Sequence, residues 1–272
     1  MPVADSAPAR RERLASEVSR RGFARVVDLA RLSRVSEVTV RTDLAALEAE
    51  GRLTRVHGGA MPRGLVTARE ASLEQSTARA SRLKRSIALE AASRIHSGES
   101  VLLDVGSTTL AVAHALVDRR EVTELVVITN GLAIALALEP AIPRFTVVVT
   151  GGTLLSLQHS LVNPLATSLL DEVRADVAIL GATGVHAEHG VTNVNLPEAE
   201  VKRRMVAAAT RRILVADSSK LGQVHLGRVA TIQQLDELIT DADAEPAQLA
   251  ALRSRDLIVT AVAAGSLASL GW

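Results

Sequence analysis

Apolar residues near the start of the chain recur at the three-to-four-residue spacing of helices that bury one face. The spacing predicts three short helices, over residues 10–22, 26–32 and 37–50. Ser36 is a suitable N-cap for the third helix, and Gly51 ends it as a C′ glycine. A short β segment over residues 52–57 follows, and Gly58-Gly59 turns the chain. Three helices, a tight turn between the second and third, and a β wing predict a winged helix-turn-helix domain.

The pattern changes along the rest of the chain. Residues 64–80 show weak periodicity and are predicted to be a linker, and a helix is predicted over 82–95. Short apolar runs then alternate with helical segments, at Val101–Val105, Leu125–Thr129, Phe145–Thr150, Val177–Leu180 and Ile213–Ala216. Such runs predict a parallel sheet covered by helices on both faces. We therefore expect an α/β protein with a winged helix-turn-helix domain over 8–63 and a larger, mostly parallel α/β domain over 81–265.

Composition narrows the possible functions. The 272 residues include no Cys, which excludes disulfides, thiolate metal sites and a cysteine nucleophile. With two Phe, one Trp and no Tyr, an aromatic platform for single-stranded nucleic acid is not expected. No apolar run reaches the roughly 18 residues of a membrane span, and no apolar signal segment follows the basic N-terminus. We expect a cytoplasmic protein that makes no membrane contact.

Charge is divided unevenly between the two parts. Residues 1–63 carry a net charge of +4 and residues 64–272 a net charge of −3. A small basic domain is suited to contact a polyanion such as double-stranded DNA. Side chains that could reach phosphates or base edges lie on the third helix (Thr39, Arg41 and Thr42) and on the wing (Arg52, Arg55 and His57). The alternative is that these are ordinary solvated residues of a small helical domain.

The segment Ser36–Ala60, SEVTVRTDLAALEAEGRLTRVHGGA, closely resembles the helix-turn-helix of DeoR-type transcriptional regulators. The matching positions are Ser36, Thr39, Val40, Arg41, Asp43, Leu44, Gly51, Arg55, His57, Gly58 and Gly59. The resemblance implies DNA contacts from Ser36 and from the helix and wing residues just named. Thr42 departs from the family pattern, which has a second Arg there, so a phosphate contact or base preference changes. Asp43 is expected to be structural, because an acid facing DNA would repel phosphate.

Six blocks in the second part look like those of the DeoR C-terminal sensor domain. They are DVGSTT (Asp104–Thr109), TNG (Thr129–Gly131), TGG (Thr150–Gly152), LGATGV (Leu180–Val185), EAEVKRRM (Glu198–Met205) and ADSSKLG (Ala216–Gly222). The resemblance therefore extends across nearly the whole chain. It implies a fold similar to sugar-phosphate isomerases and an effector that is a phosphorylated sugar.

Polar residues after the predicted strands are candidates for the effector site. The segment Gly106–Thr109 follows a strand and opens a helix, so its N–H groups and hydroxyls could cradle an anion, or could simply form a turn. Asn130 could bond a sugar hydroxyl or satisfy its own turn. The candidate effector-binding residues are Asp104, Gly106, Ser107, Thr108, Thr109, Asn130, Gly151, Gly152, Glu198, Lys202, Asp217 and Lys220.

Several of these candidates have an ordinary structural alternative. Glu198 and Lys202 are spaced i, i+4, so they could form a surface ion pair or turn inward onto the sugar phosphate. Glu200 and Arg204 have the same spacing. Asp217 and Lys220 could be a helix cap and a solvated lysine, and Gly151-Gly152 could form a turn. The two histidines of the HAEH segment lack a third ligand at a suitable spacing, so no metal is expected.

The sequence thus predicts a ligand-responsive transcription factor, a repressor of sugar-metabolism genes whose operator binding is controlled by a phosphorylated sugar. The alternative is a sugar-phosphate isomerase with an added DNA-binding domain. A nucleotide-binding adaptor is disfavoured because no phosphate loop has the required spacing. We expect no cofactor. A homo-oligomer, dimer or tetramer, is expected because helix-turn-helix proteins read repeated half-sites with two-fold dimers.

Overall fold

The computed structural model describes residues 6–21, 24–56, 58–62 and 72–263. The chain divides into two compact units, Met1–Arg69 (the head) and Glu70–Trp272 (the body). The elements of the head are α1 (Ala7–Arg21), β1 (Ala24–Arg25), α2 (Val26–Ser33), α3 (Glu37–Ala49), β2 (Leu53–Val56) and β3 (Gly59–Pro62).

Local signals position the third helix of the head. Arg34, in the left-handed region at φ 52°, reverses the chain between α2 and α3. The Ser36 hydroxyl then caps α3 by accepting the N–H of Thr39 at 3.1 Å, and Gly51 leaves the helix at φ 70°. The antiparallel strands lie in the order β1-β3-β2. The buried core includes Leu14, Val18, Leu29, Val40, Leu44 and Leu47.

The body begins with α4 (Leu73–Ala78), α5 (Ser81–Ser93), β4 (Ser100–Leu103), α6 (Ser107–Asp118), β5 (Leu125–Thr129), α7 (Leu132–Leu138), β6 (Phe145–Val149), β7 (Thr153–Leu155), β8 (Ser160–Val162) and α8 (Leu165–Glu172). It continues with β9 (Ala175–Gly181), β10 (Gly184–His186), β11 (Gly190–Asn193), α9 (Leu196–Ala208), β12 (Ala209–Val215), β13 (Gly227–Ala230), β14 (Glu237–Asp241), α10 (Pro246–Arg253) and β15 (Ile258–Val262). Within the described residues, no helix has the length and apolar character needed to cross a membrane.

A parallel sheet organises the body, as the apolar runs predict. Its strands lie in the order β15-β14-β12-β9-β4-β5-β6, and all neighbouring pairs are parallel. Val101 and Leu103 face a cluster that includes residues of α5, α6 and α7, whereas Leu102 packs with residues of α8 and α9. The sheet is therefore covered on both faces. The sequence analysis did not identify β14 or β15.

The strand order has a switch point between β4 and β9. From β4 the chain proceeds outward to β5 and β6, and then returns past β4 to β9, β12, β14 and β15. Where the order reverses, the connections that follow the two adjacent strands diverge and leave a crevice. Ligands of open α/β sheets bind in that crevice, outside the carboxyl ends of the strands.

The segment predicted as a linker contains a helix, α4, that the sequence analysis missed. The Ser72 hydroxyl accepts the N–H of Gln75 at 3.3 Å, and Gln75 Oε1 accepts the N–H of Ser72 at 3.2 Å. This capping box was visible in the sequence, but six residues are too few to show helical periodicity. The domain limits 8–63, 64–80 and 81–265 stay predictions.

Candidate functional site

A pocket opens at the switch point of the body, beyond the carboxyl ends of β4 and β9. It holds roughly 860 Å³ of space that no protein atom fills, including open solvent at its mouth. Eight of the predicted effector-binding residues line it: Gly106, Ser107, Thr108, Thr109, Glu198, Lys202, Asp217 and Lys220. The fold thus brings together residues that lie more than a hundred positions apart.

The first turn of α6 forms one wall of the pocket. Gly106, at φ 131°, precedes the helix and provides no side-chain cap for its first N–H groups. These groups have no partner within the helix, so they are available to an anion. Thr109 donates its hydroxyl to the carbonyl of Gly106 at 2.9 Å, which fixes the turn. The anion cradle predicted at this wall stays a prediction.

A buried ion pair supports this wall from behind. Lys202 on α9 donates to Asp104 Oδ2, and the same lysine donates to the carbonyl of Gly181 at 3.2 Å. Asp104, fully buried at the end of β4, also accepts the N–H of Gly181 at 2.9 Å. Burial raises the pKa of Asp104, and the Lys202 ammonium opposes that rise. The pair links β4, β9 and α9 at the base of the pocket.

Glu198 points into the body rather than pairing with Lys202. Its Oε1 accepts the hydroxyl of Ser160 at 2.5 Å, and its Oε2 accepts the amide of Asn193 at 3.3 Å. Burial raises the pKa of Glu198, and the nearby charge of Lys202 opposes the rise. Glu200, by contrast, does bond Arg204 at 3.2 Å near the surface. The inward interpretation therefore fits Glu198, and the ion-pair interpretation fits Glu200.

The turn after β12 adds a second acid and a lysine. Asp217 is buried and accepts both the N–H of Ser219, at 3.2 Å, and its hydroxyl. It therefore caps the short 3₁₀ turn over 218–220, as the structural alternative anticipates, while still lining the pocket. Lys220 is half-buried and also lines the pocket.

The sequence analysis missed Lys84 as a pocket residue. This lysine of α5 is 5% exposed and donates to the carbonyls of Ser76 and Arg79, the latter at 2.9 Å. Burial lowers the pKa of Lys84, and the charge of Asp217 opposes the shift. Its burial was not evident from the sequence, because Leu83, Ile87 and Ala91 already form an uninterrupted apolar stripe beside it. Arg79, Thr183 and Asn193 also line the pocket without having been predicted.

Four predicted effector residues lie outside the lining of this pocket: Asp104, which supports it from behind, and Asn130, Gly151 and Gly152. Asn130 donates to the carbonyl of Leu161 at 3.2 Å, while its Oδ1 has no hydrogen-bond partner among the described residues. A Cβ on Gly152 would lie 2.0 Å from the carbonyl oxygen of Val162, so this glycine permits close packing of the backbone. Gly151 adopts φ 71° beside it. Through these contacts, Asn130 and Gly152 help the β7–β8 hairpin pack beside β5.

Metal ligation finds no support in the described part of the chain, where no group of three His, Asp or Glu side chains could hold an ion. His186 Nδ1 accepts the N–H groups of Glu188 and His189, at 3.1 and 3.4 Å. The ring therefore organises its own turn.

In the head, the predicted DNA-binding arginines are exposed and paired with acids. Arg41 bonds Glu37 at 2.7 Å on α3. The wing arginines are paired in the same way, Arg52 with Glu12 at 2.8 Å and Arg55 with Glu48 at 2.7 Å. Exposed pairs of this kind contribute little to stability, so DNA phosphates could displace the acids.

The remaining side chains predicted to contact DNA differ in their exposure and in the hydrogen bonds that they already make. The hydroxyls of Ser36 and Thr39 lie 2.9 Å apart in the cap of α3, so Ser36 positions the helix. Thr42 is exposed, and its hydroxyl bonds the carbonyl of Val38 at 3.1 Å. Val38 itself is 69% exposed on the same helix and could contact a thymine methyl group. His57 lies outside the described residues.

Asp43 has the structural role expected of it. It is buried in the head and accepts bonds from Arg10 Nε at 2.6 Å and Arg11 Nε at 3.1 Å. Burial alone would raise the pKa of Asp43, but the bonds from the two arginines lower it. This cluster ties α1 to α3 and keeps the acid away from the exposed face of α3.

Comparisons with known proteins match both parts of the chain. Residues 10–62 match the DeoR-like helix-turn-helix domain, and residues 79–242 match the DeoR C terminal sensor domain. The chain is 34% identical to the uncharacterized HTH-type transcriptional regulator YulB of Bacillus subtilis, over 93% of this chain and 96% of YulB. It is 35% identical to a putative aga operon transcriptional repressor of Escherichia coli O157:H7, over 93% of each chain.

More distant similarities extend to other named proteins. The lactose phosphotransferase system repressor of Streptococcus mutans is 30% identical, over 85% of this chain and 91% of the repressor. Among solved structures, ribose 5 phosphate isomerase A from Neisseria gonorrhoeae aligns with a TM-score of 0.36 and 19% identity, over 50% of this chain and 52% of the isomerase. A TM-score this low supports no conclusion about activity.

Proposed function

This chain belongs to the DeoR family of helix-turn-helix transcriptional regulators, and we propose that a phosphorylated sugar controls its binding to the operators of sugar-metabolism genes. It is a DNA-binding regulator rather than an enzyme, in keeping with relatives that are named regulators and repressors. The proposal concerns the effector, its site, and the repressor role of this particular chain.

The pocket of the body carries the proposal. One wall presents the first turn of α6, and Lys84, Lys220 and Arg79 line the same cavity. Helix N-terminal N–H groups together with cationic side chains favour a phosphoryl group. Glu198 and Asp217, in the same lining, can accept hydrogen bonds from sugar hydroxyls. One cavity therefore offers both parts of a sugar phosphate a suitable partner.

The head supplies the other half of the function. We place α3 in the major groove of a double-stranded operator, with Thr39, Arg41 and Thr42 facing the DNA and Arg52 and Arg55 on the backbone. Two copies of the head are needed to read a repeated half-site, so the regulator acts as a homo-oligomer, a dimer or a tetramer. It acts in the cytoplasm, where both the operator and phosphorylated sugars are found.

Thermal unfolding of the full chain tests the effector, using pentose and hexose phosphates and their unphosphorylated parents. Binding to the native state raises the melting temperature by mass action. Ser107→Asp is the diagnostic variant, because an acid in the first turn of α6 suits the helix dipole but repels a phosphate. Ala247→Asp is the matched control, since it adds the same charge to the first turn of α10, away from the pocket.

We expect a selective rise with one phosphorylated sugar, retained in Ala247→Asp and lost in Ser107→Asp, with both variants as stable as the parent when no sugar is present. The same sugar should change operator affinity. A rise that Ser107→Asp retains would place the ligand elsewhere. No rise with any phosphorylated sugar, together with intact operator binding, would refute the proposed effector class.

The isomerase alternative is not favoured. Proton transfer on a sugar phosphate needs a base held over the reacting carbon. Glu198 and Asp217 are instead engaged by Ser160, Asn193 and Ser219. A turnover assay on the same sugar phosphates would detect such an activity directly.

A further inference from the structure

We propose that Lys84 couples the effector pocket to the head through α4. A phosphoryl group bound to Lys84 stabilises the hydrogen bonds that this lysine donates to carbonyls at the carboxyl end of α4. The inference rests on the proposed function and specifies how the same site is regulated. It makes Lys84 a positioning residue as well as a ligand for the anion.

Helix α4 is positioned in the chain to transmit a signal. It is the first described element after the head, and ten residues separate Pro62 from Leu73. A six-residue helix is not stable by itself in water, so α4 depends on what holds it from outside. Any change in those external contacts changes the segment that leads to the head.

Contacts at both ends hold α4, which also packs beside α6. At its start, Leu73 is buried and donates its N–H to the carbonyl of Leu157 at 2.9 Å, while Glu74 lies 3.3 Å from His159 Nε2. At its carboxyl end, Lys84 binds the carbonyls of Ser76 and Arg79. The contacts at the carboxyl end belong to the pocket, because Ser76, Arg79 and Lys84 all line it.

The Lys84 ammonium group has a third N–H donor that can bind an anion. An ammonium group carries three N–H donors, and within the described residues its hydrogen bonds go to two carbonyl oxygens and not to a carboxylate. A buried cation whose partners are neutral is costly, and a phosphate placed beside it would offset that cost. The third N–H can bind the phosphate while the other two keep α4 in place.

The pocket provides the energetic link between ligand and helix. A ligand shifts a conformational equilibrium only when it interacts differently with the two states. With α4 docked, an anion near the first turn of α6 meets both Lys84 and Arg79. When α4 undocks, Arg79 leaves the cavity and Lys84 loses its carbonyl partners. The anion therefore favours the docked state of α4.

The β7–β8 hairpin connects the other end of α4 to the same pocket. Leu157 and His159, which contact α4, lie between the two strands of this hairpin. The next residue, Ser160, donates to Glu198 in the pocket lining at 2.5 Å. Both anchors of α4 therefore attach to groups that surround the proposed effector.

The test uses the full-length protein, inorganic phosphate as the probe, and sodium chloride at equal ionic strength as the control, because salt alone weakens DNA binding. The DNA is a duplex selected by the wild-type protein from a random-sequence library.

Lys84→Met removes the ammonium but keeps the apolar stem, and Lys84→Arg restores the charge. Lys220→Met is the matched control, since it removes a pocket lysine that does not bind α4 in the structure. Operator affinity is measured by fluorescence anisotropy, and amide hydrogen exchange is followed over residues 73–79.

In the wild type, saturating phosphate should change the operator Kd by about tenfold and slow amide exchange in α4. In Lys84→Met we expect less than about a twofold change at saturation, with fast exchange in α4 whether or not phosphate is present. Lys84→Arg should restore most of the response. Lys220→Met should need more phosphate but reach the wild-type response at saturation.

Two contrary results are distinguishable. Wild-type protein that shows no phosphate-dependent change in operator affinity, with inorganic phosphate or any sugar phosphate, would overturn the proposed function and this inference together. A wild-type response that persists fully in Lys84→Met would overturn the inference alone. Thr77→Pro, which breaks α4 but keeps the Lys84 ammonium, provides a second check, because phosphate should still bind, with lower affinity, but operator affinity should no longer respond.

Discussion

Two helices carry the same charge pattern, an acid followed four residues later by a base, and use it differently. On α3, Glu37 and Arg41 bond each other at 2.7 Å on an exposed surface. On α9, Glu198 and Lys202 are both buried, and each bonds a different element: Glu198 bonds a serine of β8, and Lys202 pairs with Asp104. The spacing alone did not decide between these outcomes, which depend on what covers the helix face.

The difference separates two kinds of recognition. An exposed ion pair is worth a few tenths of a kcal/mol up to about 1 kcal/mol, so the DNA contact proposed for Arg41 would cost little when it replaces Glu37. The buried groups of α9 are fixed by partners from several strands and shape a cavity before any ligand enters it. Even on α9, Glu200 and Arg204 bond each other near the surface at 3.2 Å. Whether an acid and a base four residues apart bond each other therefore depends on their burial in the fold, and not on the helix to which they belong.

Replacing Lys202 by Met should produce the largest effect of the predicted changes. Asp104 would remain fully buried without its counter-ion, so we expect the body to lose about 3–5 kcal/mol of unfolding free energy. Arg41→Met should cost less than about 1 kcal/mol. Urea unfolding followed by circular dichroism measures both.

A second substitution serves as the control for Lys202→Met. Adding Asp104→Asn should recover much of the loss, because no uncompensated charge then remains buried. If Lys202→Met is as stable as Arg41→Met, the contrast between buried and exposed charges fails.

Replacing Arg41 by Ala should weaken binding to the selected operator by about 1–3 kcal/mol and relax specificity at one position, as expected for a base contact. Stability should change by less than about 0.5 kcal/mol, because the side chain is exposed. Anisotropy titrations against single-base variants of the operator measure the effect. A uniform loss for all sequences, with a salt slope reduced by about one, would instead assign Arg41 to a phosphate.

The smallest predicted effect is the pH dependence of folding stability, which has opposite signs for Glu198 and Glu200. Burial raises the pKa of Glu198 above its ordinary 4.5, so the unfolded chain loses this proton first and stability falls as pH rises from 4.5 through the folded pKa. Partial burial would raise the pKa of Glu200, but bonds from Arg203 and Arg204 lower it. Its stabilisation is complete above 4.5 and is lost as pH falls through the folded pKa.

Melting temperatures of Glu198→Gln and Glu200→Gln between acid and neutral pH test this opposition. Relative to the wild type, Glu198→Gln should gain stability as pH rises above 4.5, at no more than about 1.4 kcal/mol per pH unit. Glu200→Gln should differ from the wild type by a constant amount above pH 4.5 and by less below it. Parallel profiles for the two variants would contradict the assigned burial.

Elements with strong local signals were predictable from the sequence. The cap at Ser36 and the glycine at Gly51 predicted a helix over 37–50, and α3 spans Glu37–Ala49. The apolar run Leu125–Thr129 is β5 itself. In both cases neighbours along the chain determine the conformation, so a pattern within a dozen residues suffices.

Elements that depend on distant partners were not predictable. In α5 the i, i+4 spacing of Leu83, Ile87 and Ala91 predicts that these three residues form the buried face, but the structure buries Lys84 with Ile87 and Ala88 and leaves Leu83 partly exposed. Lys84 is buried because α4 supplies carbonyls to its ammonium group. The inward turn of Glu198 likewise depends on Ser160, 38 positions away. No local spacing encodes such contacts.

The pairing of β4 with β9 also has a consequence for the order of folding. It aligns Val101 with Val177, whereas β2 and β3 of the head pair Val56 with Gly59. Contacts between distant positions form slowly, and during synthesis the amino-terminal domain folds first. A chain emerging from the ribosome therefore acquires its DNA-reading head well before β9 arrives to complete the crevice. During that interval the head is folded while the proposed effector pocket does not yet exist.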